Sequence, residues 1–296
     1  MSRALYLGVD GGATRSRARL RDADGKLIAE ATGAAANIHV DFAAAEAALR
    51  ALVDATLTNV ELGEGDLGLV AMGLGLAGFK GESDQTRIAA AFPGFRQVRA
   101  ANDATTACVG AHAGADGGLI IAGTGSAAIA RVRGKETIIG GRGFALGDDG
   151  SGSHIGLDAM RSAMRAYDRI GPSSALTQDL ISHFNNDPVA MMNWALQAKP
   201  GDFGGFARRV FEHAASQDPI ALEIVRAAAR AIGVLTRGVV ALGAEQVALV
   251  GGVGEALRPY FEPDIAARLK QPLYDPTDGA ILFAGGAVAS ERRAAQ

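Results

Sequence analysis

Cysteine is nearly missing from this sequence, with Cys108 the single one in 296 residues. An internal disulfide and any site built from several cysteines are thereby excluded. A reducing compartment fits that usage, and the chain is read as cytoplasmic. An excess of charge of one sign is missing too. Lys and Arg number 29 against 32 Asp and Glu, for a net charge of −3, so no field is present of the kind that draws nucleic acid or a membrane surface. No apolar run is long enough to cross a bilayer. The most apolar late segment, "AIGVLTRGVVALG", is interrupted by Arg237 and is too short, and the apolar part of "MSRALYLGVDGG" is too short for a signal peptide. The five histidines, at 39, 112, 154, 183 and 213, have no metal-ligand spacing, and His183 and His213 fall on helical faces and read as structural. Neither a P-loop nor a G-x-S-x-G elbow occurs. "GLGLAG" at 73–78 matches a dinucleotide fingerprint only as letters. "FKGES" follows where a helix should open, and the next strand-end acid, Asp103, is too far away.

Glycine, by contrast, is plentiful, at 40 residues beside 48% hydrophobic residues. That pairing points to tight turns and close backbone approaches to a ligand, not to disorder. The length allows two domains. Residues 4–9 read as a strand, "RSRARLRDADGK" as a second with a turn at Asp24-Gly25, and "KLIAEATG" as a third, giving an antiparallel meander. "DFAAAEAALRALVDATLTNV" has the helical period, with Asp41 as N-cap. A strand in "LGLVAMGLGLAG", a short helix in "DQTRIAAAF", a strand in "RQVRAAND" and a helix in "ATTACVGAHAG" follow. At residue 118 the meander recurs as "GLIIAGTGSAAIARVRGKETIIGG", about 110 residues after the first, which implies two similar domains facing each other. The remainder reads as helical: "SHIGLDAMRSAMRAYDRI" with Ile155, Ala159, Ala163 and Tyr167 on one face, "SALTQDLISHF", "FGGFARRVFEHAA", and a long helix opened by Asp218-Pro219. A final unit is expected as strand "QVALV", helix "EALRPYFEPDIAARL", strand "PLYD" and terminal helix "GAILFAGGAVASERR".

Five stretches carry candidate chemistry. "GVDGGAT" ends a strand in Asp10, Gly11, Gly12 and Thr14 and turns straight back with no helix, forming a small concavity of amides and a hydroxyl suited to phosphate oxygens. Asp10 beside it could hold Mg²⁺; an ordinary Gly-rich hairpin is the plainer reading. "AGTGSA" repeats the pattern with Gly123, Thr124, Gly125 and Ser126, and two such turns would clamp a triphosphate from opposite sides of a cleft. Asp103 stands at a strand end and helix start, either as an N-cap or as the general base for a substrate hydroxyl, with Asn102 orienting it or capping instead. "GGRGFALGDDGSGSHIG" holds Asp148 and Asp149 among seven glycines, a partner for sugar hydroxyls or an amine, or a capping loop with Ser151 or Ser153 as cap. "LVGGVG" places Gly251 and Gly252 where a flat ring could lie on bare backbone; a plain strand-to-helix turn is the alternative.

In this order the motifs resemble the sugar-kinase/actin/Hsp70 superfamily and, more closely, the BadF/BadG/BcrA/BcrD-type ATPase family, over nearly the whole chain. The resemblance implies an α/β protein of two ribonuclease-H-like, actin-like ATPase lobes around a central cleft, residues 1–113 with 280–296 and residues 114–279. It implies ATP- and Mg²⁺-dependent phosphoryl transfer to the 6-hydroxyl of an amino sugar, N-acetylglucosamine or glucosamine. Asp103 would be the base. Asp10, Gly11, Gly12, Thr14, Gly123, Thr124, Gly251 and Gly252 would serve ATP, with Asp10 on the metal. Asn37, Asn102, Gly125, Gly141 and Asp148, with Thr124, would face the sugar. Arg142 stands where the family usually has Trp, no aromatic stands near His39, and Ala13 replaces a glycine. All partners would be small molecules, with a homodimer the family's expectation. A reductase-activating ATPase, which needs cluster-holding cysteines, and a nucleotide-gated binder without transfer chemistry are the alternatives.

Overall fold

The computed structural model describes residues 4–12 and 14–289; Ala13 and the end of the expected terminal helix lie outside them. Two compact units emerge, Met1–Asp116 with Pro272–Gln296, and Gly117–Gln271, where the sequence placed divisions at 113/114 and 279/280.

In the first unit β1 (Leu5–Gly11), β2 (Ser16–Asp22) and β3 (Leu27–Gly33) form the expected meander, and β4 (Val70–Leu76) and β5 (Gln97–Asn102) add parallel to β1, for the order β3-β2-β1-β4-β5. Helix α1 (Phe42–Thr58) is capped by Asp41, whose carboxylate accepts from Ala44 N–H at 3.0 Å. Its Leu49, Leu52 and Val53 pack with Leu7, Leu20, Met72 and Leu74 in one apolar core. Each such side chain contributes on the order of 1.5–3 kcal/mol by leaving water. Helices α2 (Glu82–Ala91) and α3 (Asp103–Ala111) complete the forward run.

The second unit repeats the plan. Strands β6 (Gly117–Ala122), β7 (Ser126–Val132) and β8 (Lys135–Gly140) are the second meander, and β9 (Val247–Val250) and β10 (Leu269–Lys270) extend it in the order β10-β9-β6-β7-β8. Between β8 and β9 lie α4 (Gly152–Tyr167), α5 (Ala175–His183), α6 (Pro188–Gln197), α7 (Pro200–Gly204), α8 (Ala207–Ala215) and α9 (Pro219–Ala241); α10 (Gly252–Leu257) and α11 (Pro263–Arg268) precede β10. Asp218 caps α9 through Ile220 and Ala221 N–H, both at 3.0 Å, and also takes Leu176 N–H at 3.0 Å, which ties α5 to α9. The chain then returns to the first unit as α12 (Pro276–Phe283).

Helix α12 explains glycines that motif reading leaves unassigned. It lies on the sheet face at Gly8 and Gly73, which are partners across β1 and β4. A Cβ at Gly8 would run into the Thr277 carbonyl and one at Gly73 into that of Ala280, while a Cβ at Gly75 would overlap Thr106 of α3. Gly73 and Gly75 of "GLGLAG" therefore admit helices to a strand, whereas Gly78, at φ +84°, turns the chain beside Asn37 and His39.

Several local expectations are corrected. Residues 255–269 do not form one helix, because Pro259 and Pro263 divide the segment into α10, a short 3₁₀ turn and α11. The segment 203–215 likewise breaks between α7 and α8. "PLYD" is not a strand; it leads into the Asp275 cap of α12, and the edge strand is Leu269–Lys270. Helix α12 stops at Phe283, and Gly285 follows with φ +85°. Helix α6, which opens on Asp187-Pro188, is absent from the sequence reading. Tyr167 is 46% exposed, whereas Ile155, Ala159 and Ala163 are buried. No helix among the described residues is long and apolar enough to cross a membrane.

Candidate functional site

In the first unit the ends of β1, β4 and β5 come to one edge of the sheet, where open α/β sheets take ligands. The turn after β1 is a hairpin. Gly11 pairs with Ser16, Gly12 N–H donates to Arg15 O at 3.2 Å, and Thr14 is exposed at the tip. The Gly12 amide is thus used in closing the turn, and Gly11 is buried against Leu76. Asn37 lies alongside: Ala36 N–H donates to Gly12 O at 3.0 Å and Ile38 N–H to Ala77 O at 3.2 Å. Its own Oδ1 accepts from the His39 and Val40 amides at 3.0 and 3.3 Å.

Asn102 is the N-cap of α3, with Oδ1 accepting from Ala104 N–H at 3.0 Å and Nδ2 donating to Phe79 O at 3.4 Å. Both polar atoms of its side chain are engaged with the protein. Because Asn102 caps, Asp103 does not have to; it occupies the first helical position, and its carboxylate accepts local backbone bonds, that from Ala104 N–H at 2.9 Å. Burial pushes the Asp103 carboxyl above the ordinary carboxylate range, against the lowering by backbone amides. Asp10 is raised as well, chiefly by burial, with Arg17 opposing and the charges of Asp103 and Asp275 adding to the rise. The fold thus gathers Asp10, Asp103, Asp275 and Arg17.

Asp10 fits a cation. Among the described residues nothing donates a hydrogen bond to its carboxylate, and no three His, Cys, Asp or Glu side chains converge to hold a metal by themselves. Asp10 is half-buried, and a single carboxylate completed by water and phosphate oxygens is the way Mg²⁺ is held.

In the second unit the turn after β6 is fixed from behind. Gly123 N–H donates to Gly125 O at 2.9 Å, and the Gly123 and Thr124 carbonyls accept from Gly152 and Ser153 N–H at 2.8 and 3.2 Å. Ser151, not Ser153, caps α4. The loop before α4 is pinned by His154, whose Nε2 lies 2.8 Å from Phe144 O, and by Phe144 stacked on Phe203 at 5.5 Å. Asp148, at φ +61°, accepts from Ser126 N–H at 3.2 Å, and its carboxylate lies close over Gly125, 3.1 Å from where a Cβ would stand. Gly141, at φ +63°, is exposed beside it.

Gly123, Thr124 and Gly252 line a single cavity of about 690 Å³ together with Ala207, Arg208, Phe211, Glu212 and Val253. Gly252 has nothing within 4 Å of a notional Cβ, so bare backbone faces this space. Gly251 is different. With φ +102° and the Ala122 carbonyl against its Cα, it is required by packing. The contributions of α8, Arg208, Phe211 and Glu212, escape the sequence reading because nothing in "FARRVFEHAA" marks which helical face lies open. The partners of Arg17 escape it too, although the alternation in "RSRARLR" and the acids of "DPTD" are visible signals.

A model of the BadF/BadG/BcrA/BcrD ATPase family matches residues 7–284. This chain belongs to that family. A glucosamine kinase of Vibrio cholerae is 36% identical over 284 residues, 95% of each chain. An N-acetyl-D-glucosamine kinase of Dictyostelium discoideum is 30% identical over 258 residues, 81% of this chain and 80% of that one. A solved Chromobacterium violaceum structure with a provisional N-acetylglucosamine kinase designation is 32% identical, with TM-score 0.83, over 96% of this chain and all of that one. The twofold β-meander with two parallel strands is accordingly the α/β architecture of the actin-like sugar kinases, as the family resemblance implied.

Proposed function

We propose that this family member is an ATP-dependent amino-sugar kinase that transfers the γ-phosphate to the sugar 6-hydroxyl. The observation that carries the reading is the division of labour at the start of α3: Asn102 caps the helix and leaves the Asp103 carboxylate beside Asp10 at the sheet edge. A binding protein has no need of that second half-buried acid. The kinase relatives from Vibrio and Dictyostelium support the same class of reaction.

Asp103 takes the proton of the 6-hydroxyl as its oxygen attacks the γ-phosphorus, and ADP departs. Asp10 would hold Mg²⁺, which neutralises phosphate charge when bound. Thr14 belongs to the phosphate end, with Gly11 and Gly12 shaping its turn. The cavity beside Gly123, Thr124 and Gly252 takes the adenosine end, and Gly251 fixes the strand-to-helix turn that shapes it. Within the first unit Asn37 and Asp103 are the sugar-facing candidates, with Asn102 acting through the placement of Asp103; within the second unit, taken by itself, they are Gly125, Gly141 and Asp148.

The test is a coupled ADP-release assay with glucosamine, N-acetylglucosamine, N-acetylmuramic acid and glucose. Release that requires an amino sugar supports the reading. Sugar-independent release would make the chain an ATPase, and no release with retained nucleotide binding would make it a binder.

A further inference from the structure

Two basic side chains meet at the ligand edge of the first unit with no acid between them. Lys80 Nζ lies 3.2 Å from His39 Nε2. An imidazole nitrogen can meet an ammonium only as the acceptor, so Lys80 donates and the ring carries its own proton on Nδ1. Among the described residues neither group is paired with a carboxylate, and both are exposed. The turns that carry them are fixed. A Cβ on Gly78 would stand 2.6 Å from both Asn37 Oδ1 and His39 Cβ, and Ile38 N–H donates to Ala77 O at 3.2 Å. On the other side Phe79 O accepts from Asn102 Nδ2 at 3.4 Å. Lys80 N–H donates to Asp84 Oδ2 at 2.8 Å, which ties the turn to α2. Residues 77–80 thus bridge Asn37, a sugar-facing candidate, and the Asn102 cap that places Asp103.

We propose that Lys80 is a specificity-determining residue that reads the charge of the sugar's substituents, and that His39 is the positioning residue that holds its ammonium at the ligand edge. The inference rests on the kinase reading for the identity of the ligand. A free amino sugar carries an ammonium of its own near neutral pH, an N-acylated one is neutral, and one with an acidic ether carries a carboxylate. A held cation disfavours the first and favours the last, so the discrimination is repulsive as well as attractive. The charge is exposed, so its effect is modest and screened by salt. His39 keeps a long, flexible side chain from swinging away into solvent. Asn37 Oδ1 accepts from the His39 amide at 3.0 Å, so the imidazole that holds the ammonium is itself anchored at the sugar-facing side chain. A solvated surface lysine is the competing explanation, and it would leave the order of sugars unchanged.

Calorimetry with glucosamine, N-acetylglucosamine and N-acetylmuramic acid, at low and high salt and with ADP release measured alongside, separates the two. Lys80→Met should lower the affinity ratio of N-acetylmuramic acid to glucosamine roughly two- to thirty-fold, since two exposed charge contacts change in opposite directions. The neutral N-acetylglucosamine should change least, and the effect should shrink in salt. Lys80→Glu should push the ratio further the same way, and Lys80→Arg should keep it. His39→Ala should lose part of the ratio. His39→Gln, whose amide oxygen still accepts from the ammonium, should restore it, and the double variant should be no worse than Lys80→Met. A ratio unchanged in both Lys80→Met and Lys80→Glu, or a loss shared alike by all three sugars, overturns the assignment; an unchanged ratio in His39→Ala overturns the positioning role. Every Lys80 variant keeps the backbone bond to Asp84 and alters only an exposed side chain. Binding and release also fail separately. Sugars bound in this order without ADP release would overturn the kinase reading and support this one, and sugar-dependent release with an unchanged ratio would do the opposite. A chain that binds none of the three overturns both.

Discussion

Replacing Asp103 with Asn should move activity and stability in opposite directions. The substitution keeps the shape and the Oδ1 that accepts from Ala104 N–H, and the helix cap belongs to Asn102, so α3 keeps its start. Two things change. The base is gone, which should lower turnover roughly 10²–10⁴-fold, or about 2.7–5.4 kcal/mol in the barrier at 1.36 kcal/mol per tenfold. The half-buried charge is gone as well. Because burial holds the folded-state pKa of Asp103 above its unfolded value of 3.8, folding favours the protonated form. Its contribution is most favourable below 3.8 and declines as pH rises through the folded pKa. At neutral pH the ionised group therefore costs stability, and the Asn variant should melt higher, by roughly 2–4 °C for each kcal/mol relieved. The gain should vanish in acid. Turnover by the ADP-release assay, a nucleotide titration and melting at pH 7 and pH 4 decide it. Near-normal turnover would remove the base assignment, and a large loss of nucleotide affinity would show that Asp103 holds ATP instead. A lower melting temperature at pH 7 would refute the claim that its charge is strained by burial.

The acid limb of kcat/KM for the wild-type chain should lie above the ordinary carboxylate range, since Asp10 and Asp103 are both raised; a pH–rate profile flat down to pH 4 would contradict this. Gly8→Ala should destabilise by roughly 1–3 kcal/mol or more, because its Cβ runs into the Thr277 backbone, as denaturant unfolding would show. Asp218→Ala removes three N–H partners and should cost about 2–4 kcal/mol, from a lost cap and a stranded buried amide. The Asp218 carboxyl is held low by those amides against the pull of burial, so the deficit is present above pH 4 and shrinks as pH falls through the folded pKa. Gly252→Leu should weaken nucleotide binding with little change in melting, because its side chain enters open cavity. Gly251→Ala should lower the melting temperature, because its Cβ runs into the Ala122 carbonyl, and should weaken nucleotide binding through the displaced turn.

The sequence by itself determined the meander, its repeat and the capped helices. Strand alternation, the Gly25 turn and caps such as Asp41 and Asp218 are local signals, read within a few residues of where they act. The acids Asp10 and Asp103 and the glycine turns were legible for the same reason, each standing at the end of a strand. What only the tertiary structure decided are the relations across distance. Three arginines in one strand gained a purpose when α12, more than 250 residues later, brought Asp275 and Asp278 over them. Gly251 and Gly252 look alike in the chain, yet the Ala122 carbonyl lies against one and open space against the other. Asn102 and Asp103 are both good caps by type, and backbone geometry at the end of β5 chose between them. Composition sets which groups are available; the packing of distant backbone sets which of them remain unspent, and in this chain the unspent groups are the ones left for chemistry.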